Sequence, residues 1–110
     1  RMRKIVKDFL TRNNYNVIEA ENGEVAVQKY KKNKIDIVFL DLVMPVKDGI
    51  TTATELKEYD SDVYMIVVSS VGTQQSIKKA LSAGVKDFVQ KPIDKTQLMR
   101  IVDAFLDGRN

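Results

Sequence analysis

The 110-residue sequence contains no cysteine and no histidine. Without cysteine, disulfide bonds and thiolate metal sites within this sequence are excluded. Without histidine, the chain lacks the usual general base of enzymes and the commonest metal ligand. Any metal ion must therefore bind through oxygen atoms.

The sequence also lacks a long apolar run and a cluster of basic residues. No segment approaches the length needed to cross a membrane, and the first residues do not resemble a signal peptide, so we expect a cytosolic protein without a membrane partner. The net charge is +3, and lysines such as Lys31-Lys32 and Lys78-Lys79 are scattered along the chain. Scattered charges favour solvated surfaces over direct nucleic-acid binding. The size and the apolar fraction of 44% predict one domain over residues 1–110.

Apolar runs alternate with stripes of helical spacing along the chain. Short strands are predicted at 17–18, 35–40, 64–68 and 85–89, and helices are predicted at 2–13, 25–30, from 50, from 77 and from 98 to just before Gly108. Asp94 and Gln97 have the spacing of a capping box at the start of the last helix. Such alternation predicts an α/β fold with a parallel sheet that is covered by helices on both faces.

Three unlike polar side chains follow the last three predicted strands. Asp41, Ser69 and Lys91 should meet at one edge of the sheet, because parallel sheets place their chemistry at the carboxyl ends of the strands. A carboxylate, a hydroxyl and an ammonium group without histidine or cysteine suit a site that holds a phosphoryl group. The alternative is that these are ordinary polar residues where strands meet solvent.

Three segments together resemble the receiver domain of response regulators. They are residues 39–45 (FLDLVMP) followed by Asp48-Gly49, residues 67–70 (VVSS), and residues 83–88 (AGVKDF) leading to Lys91-Pro92. The resemblance covers essentially the whole chain. It is strongest to single-domain chemotaxis regulators of the CheY type, through residues 2–6 and the absence of a second domain after Asn110. It implies a doubly wound, flavodoxin-like receiver fold.

The resemblance assigns roles to individual residues. Asp41 would accept phosphate, Ser69 would bind the phosphoryl group, and Lys91 would pair with it. Pro92 would follow a cis peptide bond that directs Lys91 inward. Phe88 matches an aromatic switch position that acts together with Ser69, although an ordinary core phenylalanine is an equal alternative.

The resemblance also implies a cofactor and partners. Mg²⁺ would be bound by Asp41 and by the backbone carbonyl of Val43, since a hard cation prefers oxygen ligands. A histidine kinase would supply the phosphate. Phosphorylation would then alter a surface that a downstream protein target binds, formed by the helix after Ser69, the strand of Phe88 and the last helix. Such a domain acts by binding rather than as an enzyme.

Receiver domains begin with an apolar strand that ends in an acidic pair, and this sequence starts just after the place of that pair. Asp8 cannot replace it, because it lies along the first helix. Burying about five apolar side chains of such a strand would contribute about 8–15 kcal/mol. This is comparable with the whole stability of a domain, about 5–15 kcal/mol. We therefore expect either a further N-terminal segment in the native protein or a homo-oligomer in which copies exchange a strand.

Two other functions are compatible with parts of the sequence. A pseudo-receiver would be an interaction or assembly module that takes no phosphate, and a native protein without the acidic pair would favour it. A nucleotide- or flavin-binding α/β protein would need a phosphate-binding loop of the type GxxxxGK[ST] or GxGxxG, and neither follows a predicted strand.

Overall fold

The computed structural model describes residues 7, 8, 10–13, 15, 18–42, 47–70 and 72–109. The chain divides into two compact units, one of residues 20–91 and one of residues 1–19 with 92–110. In the described part of the chain, no helix is both long enough and apolar enough to span a lipid bilayer.

The unit of residues 20–91 is built on a parallel sheet. Its strands are β1 (Val38–Leu40), β2 (Met65–Ser69) and β3 (Asp87–Gln90), in the order β1-β2-β3. Every residue of β2 is buried. This is expected for a strand that, among the described residues, has a parallel neighbour on each side and whose sequence is nearly continuous in apolar residues. The predicted parallel sheet is therefore confirmed for the strands that carry Asp41, Ser69 and Lys91 at their ends.

The predicted strands differ from the structure in their bounds. β2 begins and ends one residue later than the predicted strand at 64–68, and β3 begins at Asp87 rather than at residue 85 and ends at Gln90. β1 begins at Val38 rather than at residue 35, because Val38 already pairs with Met65, the first residue of β2. Residues 35–37 therefore precede the paired part of β1. The predicted strand at 17–18 is wrong for Ile18, which is in no strand and is 48% exposed. Val17, the other residue of this predicted strand, lies outside the described residues.

Three helices of this unit begin at residues that cap their N-termini. The helices are α1 (Gly23–Lys32), α2 (Gly49–Tyr59) and α3 (Gln74–Ser82). The caps are Asn22, Asp48 and Thr73, whose side chains accept hydrogen bonds from the backbone N–H groups of Val25, Thr51 and Ser76. Such caps satisfy N–H groups that the first turn leaves without an intrahelical partner. Beyond α3 the chain turns at Gly84, which has φ of +102° and so a conformation that favours glycine.

The helices pack on the sheet through one apolar cluster. Its buried members are Val27, Leu40, Ala53, Leu56, Val63, Met65, Val67, Ala80 and Val85. Met65 and Val67 alternate along β2 with Ile66 and Val68, which are equally buried and belong to the opposite face of the strand. β2 is therefore buried on both faces, and Ser69 is the last residue of this buried strand.

The other unit contains the long helix α4 (Lys95–Arg109). The backbone N–H of Gln97 donates to Asp94 Oδ1 at 2.9 Å, and the backbone N–H of Asp94 donates to Gln97 Oε1 at 3.1 Å. The predicted capping box is thus confirmed. The predicted end before Gly108 is wrong, because Gly108 keeps helical backbone geometry and α4 continues to Arg109. Residues 7, 8 and 10–12 are helical, in agreement with the predicted first helix.

Replacing Asp94 with alanine should lower the free energy of unfolding by about 0.5–2 kcal/mol, because the first turn of α4 loses its side-chain acceptor. Urea denaturation measures the change. Asp103→Ala is the matched control, since Asp103 is exposed within the same helix and alanine favours helix there. Equal losses in both variants would contradict a capping role for Asp94.

Candidate functional site

Asp41 and Lys91 meet at the carboxyl edge of the sheet. Asp41 directly follows β1 and Lys91 directly follows β3. Lys91 Nζ donates a hydrogen bond of 2.8 Å to Asp41 Oδ2, and the two side chains are 30% and 27% exposed. Because β2 lies between β1 and β3, this ion pair spans the end of the central strand. Two side chains that are 50 positions apart in the sequence are thus in direct contact.

Ser69 is the last residue of β2 and is completely buried. It pairs with Gln90 of β3, and its carbonyl oxygen accepts a hydrogen bond of 2.8 Å from the backbone N–H of Lys91. Ser69 therefore lies in the strand between those of Asp41 and Lys91, at the same edge of the sheet. The structure places all three predicted residues at the ends of neighbouring strands.

The start of α2 approaches the backbone of Asp41 closely at Gly49. The backbone N–H of Gly49 donates to the carbonyl oxygen of Leu42 at 3.0 Å. A Cβ atom on Gly49 would lie 2.5 Å from the carbonyl oxygen of Asp41 and 2.8 Å from the Cα atom of Leu42. Only glycine allows this approach without a shift of the backbone. In the sequence, Gly49 is recognisable only as part of a family motif, and no local pattern reveals this constraint.

Lys47, two residues before Gly49, was not identified from the sequence either. Its Nζ atom is 2.9 Å from Glu24 Oε1 and also contacts Glu55 Oε2. The pKa of Lys47 is raised most by its hydrogen bond to Glu55 and next by its hydrogen bond to Glu24. The hydrogen bond from Lys47 in turn lowers the pKa of Glu24. The sequence carries no signal for this cluster, because its members are far apart and each is an ordinary surface residue type.

Three further predicted site residues have different outcomes. Phe88 is partly buried and packs against the apolar cluster, opposite Val67 in the ladder. A switching role for it stays a prediction. Pro92 is exposed, and the cis geometry of its peptide bond also stays a prediction. Val43 lies outside the described residues.

The expected magnesium ion would need oxygen ligands at the carboxyl edge of the sheet. Asp41 offers a carboxylate at a partly exposed strand end, which suits a hard cation. In the described ranges, no group of three or more histidine, cysteine, aspartate or glutamate side chains could hold a metal. The described residues thus provide one fitting ligand for the ion and not a complete set.

Comparison with known proteins shows the family of the chain. The family model for the response regulator receiver domain matches residues 1–103 of the chain. The chain belongs to the response regulator receiver domain family. It is 39% identical over 107 residues to the chemotaxis protein CheY of Bacillus subtilis, covering 96% of this chain and 89% of the relative. It is 42% identical over 104 residues to CheY of Thermotoga maritima, covering 94% of this chain and 84% of the relative.

Solved structures of receiver domains also resemble the chain. CheY of Borrelia burgdorferi, in a complex with CheX, BeF₃ and magnesium, is 37% identical with a TM-score of 0.88 and covers 94% of this chain and 79% of that one. A two-component response regulator from Clostridium difficile is 29% identical with a TM-score of 0.91, covering 98% and 88%. The predicted receiver fold is therefore confirmed. The protein is a phosphorylation-controlled signalling domain of a two-component system.

Proposed function

We propose that Asp41 is the residue that accepts phosphate and that Lys91 and Ser69 bind the transferred phosphoryl group. The observation that carries this proposal is the 2.8 Å hydrogen bond between Lys91 Nζ and Asp41 Oδ2 at the end of β2. It supports a site in which a nucleophilic carboxylate has a cation at hydrogen-bond distance. The sequence from 1 to 110 would act as one receiver domain.

The chemistry follows from the three side chains. A carboxylate oxygen of Asp41 attacks the phosphorus atom of the donor, an oxygen–phosphorus bond forms, and the bond from phosphorus to the donor atom breaks. Lys91 can then donate its hydrogen bond to a phosphoryl oxygen instead of Asp41 Oδ2. The Ser69 hydroxyl can donate to another phosphoryl oxygen. Phosphoryl transfer depends mainly on such positioning and charge stabilisation.

A magnesium ion would supply a positive charge that reduces repulsion between the carboxylate and the anionic donor. Asp41 and the carbonyl of Val43 would be two of its ligands. The Borrelia burgdorferi complex of CheX, CheY, BeF₃ and Mg²⁺ supports this cofactor by similarity.

Signalling would proceed by a change of surface. Ser69 would move toward the phosphoryl group, and Phe88, which already packs on the apolar cluster, would turn further inward. Phe88 lies in β3 and Ser69 pairs with Gln90 of β3, which contacts α3. The region of β3 and α3 would therefore present the altered surface to a downstream protein. A histidine kinase would be the phosphate donor. The protein would act by binding rather than by turnover of a substrate, and the CheY relatives suggest a role in chemotaxis.

The proposal is tested by incubation with Mg²⁺ and acetyl phosphate, followed by intact-mass measurement. The protein should gain one phosphoryl group, and Asp41→Asn should abolish the gain because an amide is a poor nucleophile. Asp62→Asn is the matched control, since Asp62 is an exposed aspartate in the turn before β2. It should leave uptake unchanged.

Two results would contradict the assignment of Asp41. One is equal uptake by Asp41→Asn, which would place the phosphate on another residue. The other is no uptake by the wild-type protein with either acetyl phosphate or a cognate kinase, which would favour a pseudo-receiver.

A further inference from the structure

Lys47 joins two helices through its side chain. Its ammonium group contacts Glu24 in the first turn of α1 and Glu55 in α2. The Lys47 side chain is only 17% exposed, whereas those of Glu24 and Glu55 are 49% and 39% exposed. The lysine is thus the enclosed member of the cluster, with a carboxylate from each helix beside it.

The backbone of Lys47 is fixed as closely as its side chain. A Cβ atom on Gly23 would lie 2.6 Å from the carbonyl oxygen of Lys47 and 2.1 Å from Thr52 Oγ1. The start of α1 is therefore pressed directly against Lys47, with no room for an intervening side chain. Lys47 is held from two directions, by the backbone of α1 and by the paired carboxylates.

This fixed residue is connected to Asp41 through Asp48 and Gly49. Lys47 precedes Asp48, the N-cap of α2, and Gly49 then contacts the carbonyl oxygen of Asp41 and donates to that of Leu42. A displacement of Lys47 would therefore move Gly49 against the backbone of Asp41. Because packed backbone contacts have little free space, small shifts at one end are transmitted to the other.

We propose that Lys47, paired with Glu24 and Glu55, is a positioning residue for phosphoryl transfer that fixes the backbone around Asp41. This inference rests on the proposed function of Asp41. Lys47 itself touches neither the carboxylate of Asp41 nor the donor. Ion pairs with exposed partners contribute little to global stability, so the effect of Lys47 should appear in the rate of phosphorylation rather than in folding.

The test compares Lys47→Met, Lys47→Arg and the double variant Glu24→Gln/Glu55→Gln. Phosphorylation by acetyl phosphate is followed at increasing donor concentration, with thermal unfolding measured in parallel. Lys47→Met should lower the maximal rate about threefold to tenfold, as expected for a misplaced reacting group. The donor concentration at half-maximal rate should stay unchanged. Lys47→Arg, which keeps the charge, should restore the wild-type rate.

The carboxylates and a second lysine provide the controls. Glu24→Gln/Glu55→Gln should be as slow as Lys47→Met, and adding Lys47→Met to it should cause no further loss, because both changes remove the same interaction. Lys32→Met changes an exposed lysine in the last turn of α1 and should keep the wild-type rate. If Lys47→Met does not fold, the double glutamine variant decides the question alone.

A readout that needs no phosphate separates the two proposals. Backbone amide NMR signals of Asp41, Leu42 and Gly49 should shift in Lys47→Met and return in Lys47→Arg. A wild-type protein that takes up no phosphate overturns the function of Asp41. Unchanged rates, or unchanged signals at these three amides, overturn the positioning role of Lys47.

Discussion

Gly49→Ala should lower the free energy of unfolding by about 1–3 kcal/mol, the usual cost of forcing an extra methyl group into a packed site. The new Cβ atom would lie 2.5 Å from the carbonyl oxygen of Asp41 and 2.8 Å from the Cα atom of Leu42. Both are backbone atoms, so no side chain can move aside. The gain from placing alanine in a helix, about 0.5–1 kcal/mol, is smaller than this cost. Phosphate uptake at Asp41 should fall with it.

Gly108→Ala is a matched control for this variant. Gly108 also lies in a helix, but a Cβ atom there would meet nothing within 4 Å. Alanine should therefore raise the free energy of unfolding by about 0.5–1 kcal/mol. Urea denaturation of both variants measures the difference. The same small gain in Gly49→Ala would show that the backbone at Asp41 and Leu42 can relax, and would refute the constraint on Asp41.

Lys91→Met should slow phosphorylation of Asp41 by about tenfold to a hundredfold, because one preorganised charge that stabilises the transferred group is lost. The length and the apolar stem of the side chain are retained. Stability should change little, since the ion pair with Asp41 is partly exposed. The rate is measured by intact mass over time with acetyl phosphate and Mg²⁺.

Lys86→Met tests whether the effect is specific to this ammonium group. Lys86 directly precedes β3, and its Nζ atom lies over the ring of Tyr64, 6.0 Å from the centroid, rather than at the carboxyl edge of the sheet. Its replacement should leave the rate unchanged. If wild type and Lys91→Met are phosphorylated at the same rate, Lys91 contacts Asp41 but does not stabilise the transferred phosphoryl group.

Local sequence patterns predicted the elements that a single segment determines. The nearly continuous apolar run at 64–68 predicted β2, and the Asp94–Gln97 spacing predicted the cap of α4. The contact between Asp41 and Lys91 was predicted from topology, because parallel strands end at the same edge. These inferences needed only the residue types and the order of elements.

Features set by packing between distant segments could not be predicted. The length of β1 depends on its register with β2, which the apolar pattern at 35–40 does not reveal. Gly108 was predicted to end the last helix, but its backbone stays helical and the helix continues to Arg109. The residue type alone does not reveal the backbone geometry. The contacts of Lys47 and the close approach of Gly49 depend on where α1 and α2 lie, and no local pattern encodes that.

The hydrogen bond from the Lys91 backbone to the Ser69 carbonyl anchors the main chain of the lysine to the rigid central strand. Lysine carries its charge on a flexible four-carbon stem. When Asp41 carries a phosphoryl group, the ammonium group of Lys91 can therefore reach a phosphoryl oxygen by side-chain rotation alone. No main-chain rearrangement at the end of β3 is required when the chemical state of Asp41 changes. The two states of the domain can therefore share the same sheet and differ only in side chains and in the segments beyond the strand ends.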